Sequence, residues 1–154
     1  GLYDMYGNFI DSHHIILLLI HYLYKYKGMR GKVATGFSST VKIGQLCKLY
    51  TIPLEIVTIG FKHICGLIIS EDILVGGEES GGIAIKGHIP ERDGIWNGLV
   101  IWEFMAKSGK SLKELIQEDE ILFRKLKKLN PTSKKMIQDM ANFLAAKQKY
   151  KEKI

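Results

Sequence analysis

Between Gly76 and Gly82 the chain reads Gly-Gly-Glu-Glu-Ser-Gly-Gly, two carboxylates and a hydroxyl set among four glycines in seven positions. Glycine lets a backbone adopt positive φ and approach a ligand closely. The segment is not a Walker loop, because no Gly-Lys-Ser/Thr follows, and it does not match Gly-x-Gly-x-x-Gly. Phosphate cradles combine glycine with cations, whereas this segment displays acceptors, which suit donors such as sugar hydroxyls. If the loop is extended, Glu78 and Ser80 are two residues apart and point the same way, with Glu79 opposite. The other reading is a solvated turn whose glycines serve only the backbone.

Two further segments carry cations. Gly60-Phe61-Lys62-His63 opens a helix, where backbone N–H groups and a lysine favour an anion. Gly87-His88-Ile89-Pro90-Glu91-Arg92-Asp93-Gly94 places His88, Arg92 and Asp93 in a proline-stiffened loop ahead of a helix. A lysine or arginine beside a polyhydroxyl-binding loop suits a sugar phosphate; the bland reading of each is a surface cation. His13 and His14 are adjacent and face different ways on a helix, and His21, Cys47 and Cys65 offer no ligand spacing, so no metal site is expected in this chain. The tyrosines at 3, 6, 22, 24 and 26 read as core and interface aromatics. No Ser-His-Asp or Cys-His set follows from spacing.

The elements that must position these loops alternate. Gly1 to Met5 reads as a strand end, and Gly7-Asn8 turns into Phe9-Ile10. Asp11 and Ser12 are caps for a helix whose stripe is Ile16, Leu19, Ile20 and Leu23, ending near Gly28. Lys32 to Phe37 reads as a strand, Ser38-Ser39-Thr40 caps a helix through about Tyr50, and Pro53 leads into a strand from Leu54 to Thr58. Gly60 to Ile69 is a short helix, Ile73 to Val75 and Ile83 to Ile85 are short strands, and Asp93 opens a helix to about Ser108. This order predicts an α/β fold: a three-layer α/β/α sandwich over residues 1–110 with a mixed, mostly parallel sheet. The working loops then lie beyond the carboxyl ends of the strands, after Phe37, Thr58 and Val75.

After residue 110 the character changes. Ser111 to Leu129 is a charged amphipathic helix with Leu112, Leu115, Ile116, Leu122, Phe123 and Leu126 as its apolar positions. Asn130-Pro131-Thr132 breaks it, and Met136, Met140, Phe143 and Leu144 mark one more helix. Residues 111–154 are therefore expected to be a helical basic extension, or a linker toward a further domain. The net charge of +6 is concentrated there: 11 Lys/Arg stand against 6 Asp/Glu, compared with 11 against 10 in residues 1–110. A basic tail invites nucleic acid, but a solvated helix face is favoured. With 154 residues, 46% of them apolar, the chain can bury a core without staples, and two cysteines 18 positions apart suggest a reducing compartment. The apolar run Ile15 to Ile20 falls far short of the roughly 20 residues of a membrane span. A soluble, cytoplasmic protein is expected.

The loops, taken in order, resemble the third domain of the α-D-phosphohexomutases, the phosphoglucomutases and phosphomannomutases. Gly76 to Gly82 followed by Gly87 to Gly94 carries the likeness most specifically. Gly7-Asn8-Phe9-Ile10-Asp11-Ser12-His13 is similar to the family's entry to this domain, and Thr58-Ile59-Gly60-Phe61-Lys62 to its turn. The resemblance implies one part of a four-domain enzyme that interconverts hexose 1-phosphates and 6-phosphates through a phosphoserine, with a hexose 1,6-bisphosphate as intermediate and activator. The serine, the Asp-rich Mg²⁺ loop and the phosphate-binding loop belong to other domains of that family, so no catalytic residue is expected in this chain. Glu78 and Ser80 match the sugar-recognition positions, and Lys62, His88 and Arg92 fall where the family places active-site residues. The expected partners are a hexose phosphate and the other domains of the same enzyme. Glucose and mannose phosphates are not separated by these residues, and amino sugars are the less favoured reading. The competing function is a degenerate mutase domain that binds a partner through its basic tail. An unrelated nucleotide-binding domain fails for want of a phosphate loop.

Overall fold

The computed structural model describes residues 1–128 and, beyond them, residues 132, 135, 136, 139, 140 and 142. The helix expected from Met136, Met140, Phe143 and Leu144 lies largely outside the described residues. An N-terminal hairpin pairs β1 (Leu2–Tyr3) antiparallel with β2 (Phe9–Ile10), matching Leu2 to Ile10. Asp4 closes its turn, accepting N–H bonds from Tyr6 and Asn8 at 2.9 and 2.8 Å. Helix α1 (Ser12–His21) follows, capped by Asp11, whose carboxylate accepts the His14 N–H at 2.9 Å. The expected stripe is too narrow: every residue from Ile15 to Ile20 is buried. A helix that is apolar all round must be enclosed by other elements, and α1 is the element around which one half of the core assembles. Its end widens into a π turn (Tyr22–Tyr26), and Gly28 stops it at φ +67°.

The main sheet contains β3 (Lys32–Gly36), β4 (Leu54–Val57), β5 (Ile73–Gly77) and β6 (Ile83–Ile85), in the order β4-β3-β5-β6. Strand β3 is parallel to both β4 and β5, and β6 is antiparallel to β5, so the sheet is mixed and mostly parallel. Helices α2 (Val41–Tyr50) and α3 (Phe61–Ser70) are the crossovers between the parallel strands, and α4 (Gly94–Ser108) follows β6. Thr40 and Asp93 cap α2 and α4 with their side chains, and Gly109 ends α4 at φ +67°.

Neighbouring residues of one strand show which helix covers which face. A Cβ added at Gly76 would lie 2.4 Å from Ile64 Cγ2 of α3, and one at Gly77 would lie 2.7 Å from Ile16 Cδ1 of α1. Successive strand residues point to opposite faces, so α1 and α3 cover opposite sides and the domain is the three-layer α/β/α sandwich. The larger core gathers α1 with Val33, Leu46, Val75, Ile101 and Phe104; the smaller joins Phe61, Ile64 and Ala84 beneath α3.

Helix α5 (Leu112–Lys128) packs Leu112, Leu115 and Phe123 into the larger core. Its buried stripe also carries Asp119, whose carboxyl is pushed up to about 6 by burial. Lys42 of α2 pairs with the next residue, Glu120. His21 is part of this polar seam: its Nδ1 lies 2.7 Å from the Tyr50 hydroxyl, and burial holds the imidazole below its ordinary pKa. Tyr22 is buried and stacks on Phe104, while Tyr3 and Tyr6 remain exposed.

Candidate functional site

The three parallel strands end at Gly36, Val57 and Gly77, and the loops beyond them meet. In a mostly parallel sheet this carboxyl edge is where ligands bind. The Phe37 N–H donates to the Val57 carbonyl at 3.2 Å, joining the ends of β3 and β4. The loop after β5 bridges both sides of this edge through its two adjacent carboxylates.

That loop is not extended. The Glu78 N–H donates to the Gly82 carbonyl at 2.9 Å and the Gly81 N–H donates to the Glu78 carbonyl at 3.0 Å, so the segment closes as a tight turn between β5 and β6. Gly81 sits at φ +100°, a conformation that glycine adopts without strain. Glu78 is buried at the root of the turn and Ser80 is exposed near its tip. The parallel aim of Glu78 and Ser80 expected from an extended strand therefore does not form. The physical reason is the antiparallel return of β6, which forces the five residues between the strands to reverse direction. The glycines divide likewise. Gly76 and Gly77 lie inside β5 with ordinary φ and admit helices close to the sheet, so they are not part of a ligand-facing backbone.

Glu78 points toward α3. Its Oε1 accepts the Gly60 N–H at 2.8 Å. Gly60 stands at φ +121° and precedes α3 with no side-chain cap, so the carboxylate ties the turn to the start of that helix. Glu79 serves the opposite side. Its carbonyl accepts the Ser12 hydroxyl of α1. Its carboxylate is held below the ordinary glutamate range, first by the Ser38 hydroxyl after β3. His13 is close by, its Nδ1 accepting the Thr40 N–H at 3.4 Å.

The cationic residues gather around the same helix start. Lys62 is exposed in the first turn of α3. Arg92 crosses Gly82, where an added Cβ would meet its Cδ at 2.7 Å, and its guanidinium lies 5.3 Å from the centre of the Phe61 ring. Its Nε donates to Glu91 Oε1 at 3.1 Å. His88 is held one step away: Nε2 lies 2.8 Å from Asp93 Oδ2, and its ring stacks on Trp96 at 4.7 Å. Asp93 also accepts the Trp96 N–H at 2.9 Å, and these two contacts, the backbone one first, keep its carboxyl below the usual range. The Cys65 thiol donates to the Pro90 carbonyl at 2.9 Å, anchoring the loop against α3. The buried Asn97 side chain donates to the Ile83 carbonyl at 2.8 Å and fixes α4 against β6.

Glu78, Lys62 and Arg92 thus converge on the first turn of α3 through Gly60, Phe61 and Gly82, with Ser80 at the tip of the turn between β5 and β6. His88 reaches this group only through the loop it stiffens. Sequence reasoning missed Phe61 as the platform for Arg92 and Asn97 as a clamp. The cap signature of Asp93 ahead of a helix could have pointed to the pairing with His88. Among the described residues no group of three or more His, Cys, Asp and Glu could hold a metal ion.

This fold has counterparts. The family model described as phosphoglucomutase/phosphomannomutase, alpha/beta/alpha domain III, matches residues 11–121, and the chain belongs to that family. Phosphoglucosamine mutase of Fusobacterium nucleatum is 32% identical over 115 residues, covering 73% of this chain and 25% of that protein. The enzyme of the same name from Rubrobacter xylanophilus is 34% identical over 116 residues, with coverages of 73% and 25%. A crystal structure assigned as a phosphomannomutase from Thermus thermophilus superposes with a TM-score of 0.71 at 35% identity, over 75% of this chain and 26% of that one. The phosphoglucomutase parafusin from Paramecium shares the fold at TM-score 0.64 and 22% identity, over 73% of this chain and 21% of its own. The chain spans about a quarter of the length of these curated relatives.

Proposed function

We propose that this domain is the sugar-recognition part of a phosphohexomutase, an enzyme that interconverts hexose 1-phosphate and 6-phosphate. The observation that carries the reading is the bond from the Gly60 N–H to the Glu78 carboxylate. It fixes an acceptor for sugar hydroxyls beside a helix start that bears Lys62 and lies next to Arg92. Glu78 and Ser80 then read the hydroxyls, while Lys62 and Arg92 meet the phosphate as charge-assisted donors. His88 acts by holding the Arg92-Asp93 loop in place. In this reading the phosphoserine, the Mg²⁺ that supports phosphoryl transfer and the second phosphate site come from the other domains, and a hexose 1,6-bisphosphate is the intermediate. The names of the curated relatives bring hexosamine phosphates into the substrate class beside glucose and mannose phosphates. A cytoplasmic enzyme fits this chemistry, and no described helix is long and apolar enough to cross a membrane.

The test uses the full-length protein. Ser80→Ala should lower kcat/KM for hexose phosphate with an unchanged thermal midpoint. Glu78→Ala should lower both, because the Gly60 N–H loses its partner. Loss of one charge-assisted hydrogen bond costs about 1.5–3 kcal/mol, or roughly 10- to 150-fold in kcat/KM when the bond persists in the transition state. Glu78→Gln keeps an acceptor for Gly60 and separates the two effects: stability should return and turnover should not. Unchanged kcat/KM in all three variants would leave the turn as a structural reversal and remove the sugar-binding assignment.

A further inference from the structure

Helix α5 carries an acid in the middle of its buried face. Leu112, Leu115, Asp119 and Phe123 are its buried residues, and their spacing puts them on one stripe. Asp119 is only 7% exposed, and among the described residues no hydrogen bond reaches its carboxyl. The nearby cations are taken by its neighbours on the helix. Lys42 of α2 pairs with Glu120, His14 Nε2 of α1 lies 3.6 Å from the same carboxylate, and Lys110 Nζ donates to Glu118 at 2.7 Å. The rest of the seam is His21 of α1 and Tyr50 of α2, bonded to each other at 2.7 Å, with Tyr24, Lys25 and Tyr26 of the π turn around them. A carboxylate enclosed without a donor is disfavoured against the neutral acid. Glu118 and Glu120 add to that, while His14 and Lys42 oppose it.

We propose that α5 is a pH-sensitive latch, loosened on α1 and α2 by the Asp119 carboxylate at neutral pH and clamped when that carboxyl is protonated in mild acid. Two observations make α5 the element that moves. It belongs to no sheet and enters the core through a single stripe, so it can lift while the strands stay paired. It also leads the chain out of the domain: the family match stops at residue 121, inside the helix. The direction follows from linkage. An exposed Asp119 ionises at its ordinary 3.8, the docked one at about 6. Docking is therefore at full strength below about pH 4 and weakens up to about pH 6, beyond which the loss is steady at about 100-fold in the docking equilibrium. His21 has the opposite slope. Burial holds it neutral below its ordinary 6.5, so docking weakens where acid charges it. Replacing Asp119 by its amide removes the first slope and keeps the second.

Amide hydrogen exchange of the full-length protein, read by mass spectrometry between pH 4 and pH 8, tests the proposal. Wild type and Asp119→Asn are compared at each pH, which cancels the pH dependence of the exchange chemistry itself. At pH 4 the amides of α5 should exchange within a few-fold of each other in the two proteins. At pH 7 those of the wild type should exchange up to about 100-fold faster, while β5 exchanges alike in both. Glu118→Gln, which removes an exposed carboxylate from the same helix, should leave the wild-type pattern in place. Equal exchange of α5 in wild type and Asp119→Asn at pH 7 overturns the proposal. Faster exchange in Asp119→Asn also overturns it, since the carboxylate would then be holding the helix down. So does a slowing spread evenly over α5, α1 and β5, because the acid would then weaken the whole domain and α5 would be no latch. The measurement needs no substrate, so its outcome and that of the Glu78 and Ser80 variants are independent.

Discussion

Gly76-Gly77 and Gly81-Gly82 belong to one seven-residue segment, yet they answer to different forces. The first pair lies in a central strand, covered on both faces, and each glycine is required by what stands opposite: Ile64 for Gly76 and Ile16 for Gly77. The second pair lies in the turn. Gly81 has open space around it and is required only by its φ of +100°, while Gly82 has no positive φ and faces Arg92. A glycine-rich segment therefore has no single meaning. Its glycines can exclude a side chain, permit a backbone angle, or leave room for a neighbouring side chain.

The largest expected effect tests the first of these roles. Gly76→Ala drives a methyl into Ile64 Cγ2 at 2.4 Å. That methyl is on the branched carbon, and χ1 of isoleucine in a helix is nearly fixed, so α3 or β5 must move. Overpacking of this kind costs about 3 kcal/mol, or roughly 10 °C in thermal midpoint for a domain of this size. Gly77→Ala should cost less, because its first contact is Ile16 Cδ1, which a second torsion can swing aside. Thermal or denaturant unfolding of the two variants checks the order. A reversed order would place the rigid contact on the α1 side.

Gly81→Ala is the second test. Nothing lies within 4 Å of its added Cβ, so the cost is the left-handed backbone alone, about 1–2 kcal/mol. It should appear as a lower midpoint with the sheet intact by circular dichroism. A cost as large as that of Gly76→Ala would mean that the turn and the strand fail as one unit.

The distinction between these glycines was not legible in the sequence, although much around them was. Asp11, Thr40 and Asp93 were readable as caps because a cap is a local contract between a side chain and an N–H two or three residues on. The strand-helix order was readable because polarity changes with element. The burial of Glu78 was not, since its partner Gly60 is 18 residues earlier, beyond the end of β4 and with β3 between that strand and β5. Asp119 sits in a stripe that reads as amphipathic, and only the packing of α5 against α1 shows that an acid is enclosed. Even the helix Ser12–His21 showed three of its core residues, Ile16, Leu19 and Ile20, and hid the others, because a stripe pattern assumes a solvent side that α1 does not have. Local chemistry reaches the sequence directly; contacts between distant segments do so only where a family likeness supplies the topology.

The smallest expected effect concerns Gly82. Its φ is not in the left-handed region, so alanine suits the backbone. The added Cβ meets Arg92 Cδ at 2.7 Å and Phe61 Cδ2 at 3.3 Å. Arg92 is exposed and its side chain has torsions to spare, so the contact is relieved by moving the arginine, not the fold. Stability should change by no more than about 0.5 kcal/mol, the usual range for a surface site. The guanidinium, however, leaves the Phe61 ring. If Arg92 meets the phosphate of the substrate, KM for hexose phosphate in the full-length protein should rise with kcat little changed, the pattern of an interaction made equally in ground and transition states. Arg92→Ala should reproduce that rise, and the double variant should add little to it, because both changes remove one contact. An additive double variant would separate Gly82 from Arg92 and give the glycine a role of its own in the turn. An unchanged KM in Gly82→Ala and Arg92→Ala alike would leave the second glycine pair to the backbone only, and the contrast with Gly76-Gly77 would reduce to one between packing and φ.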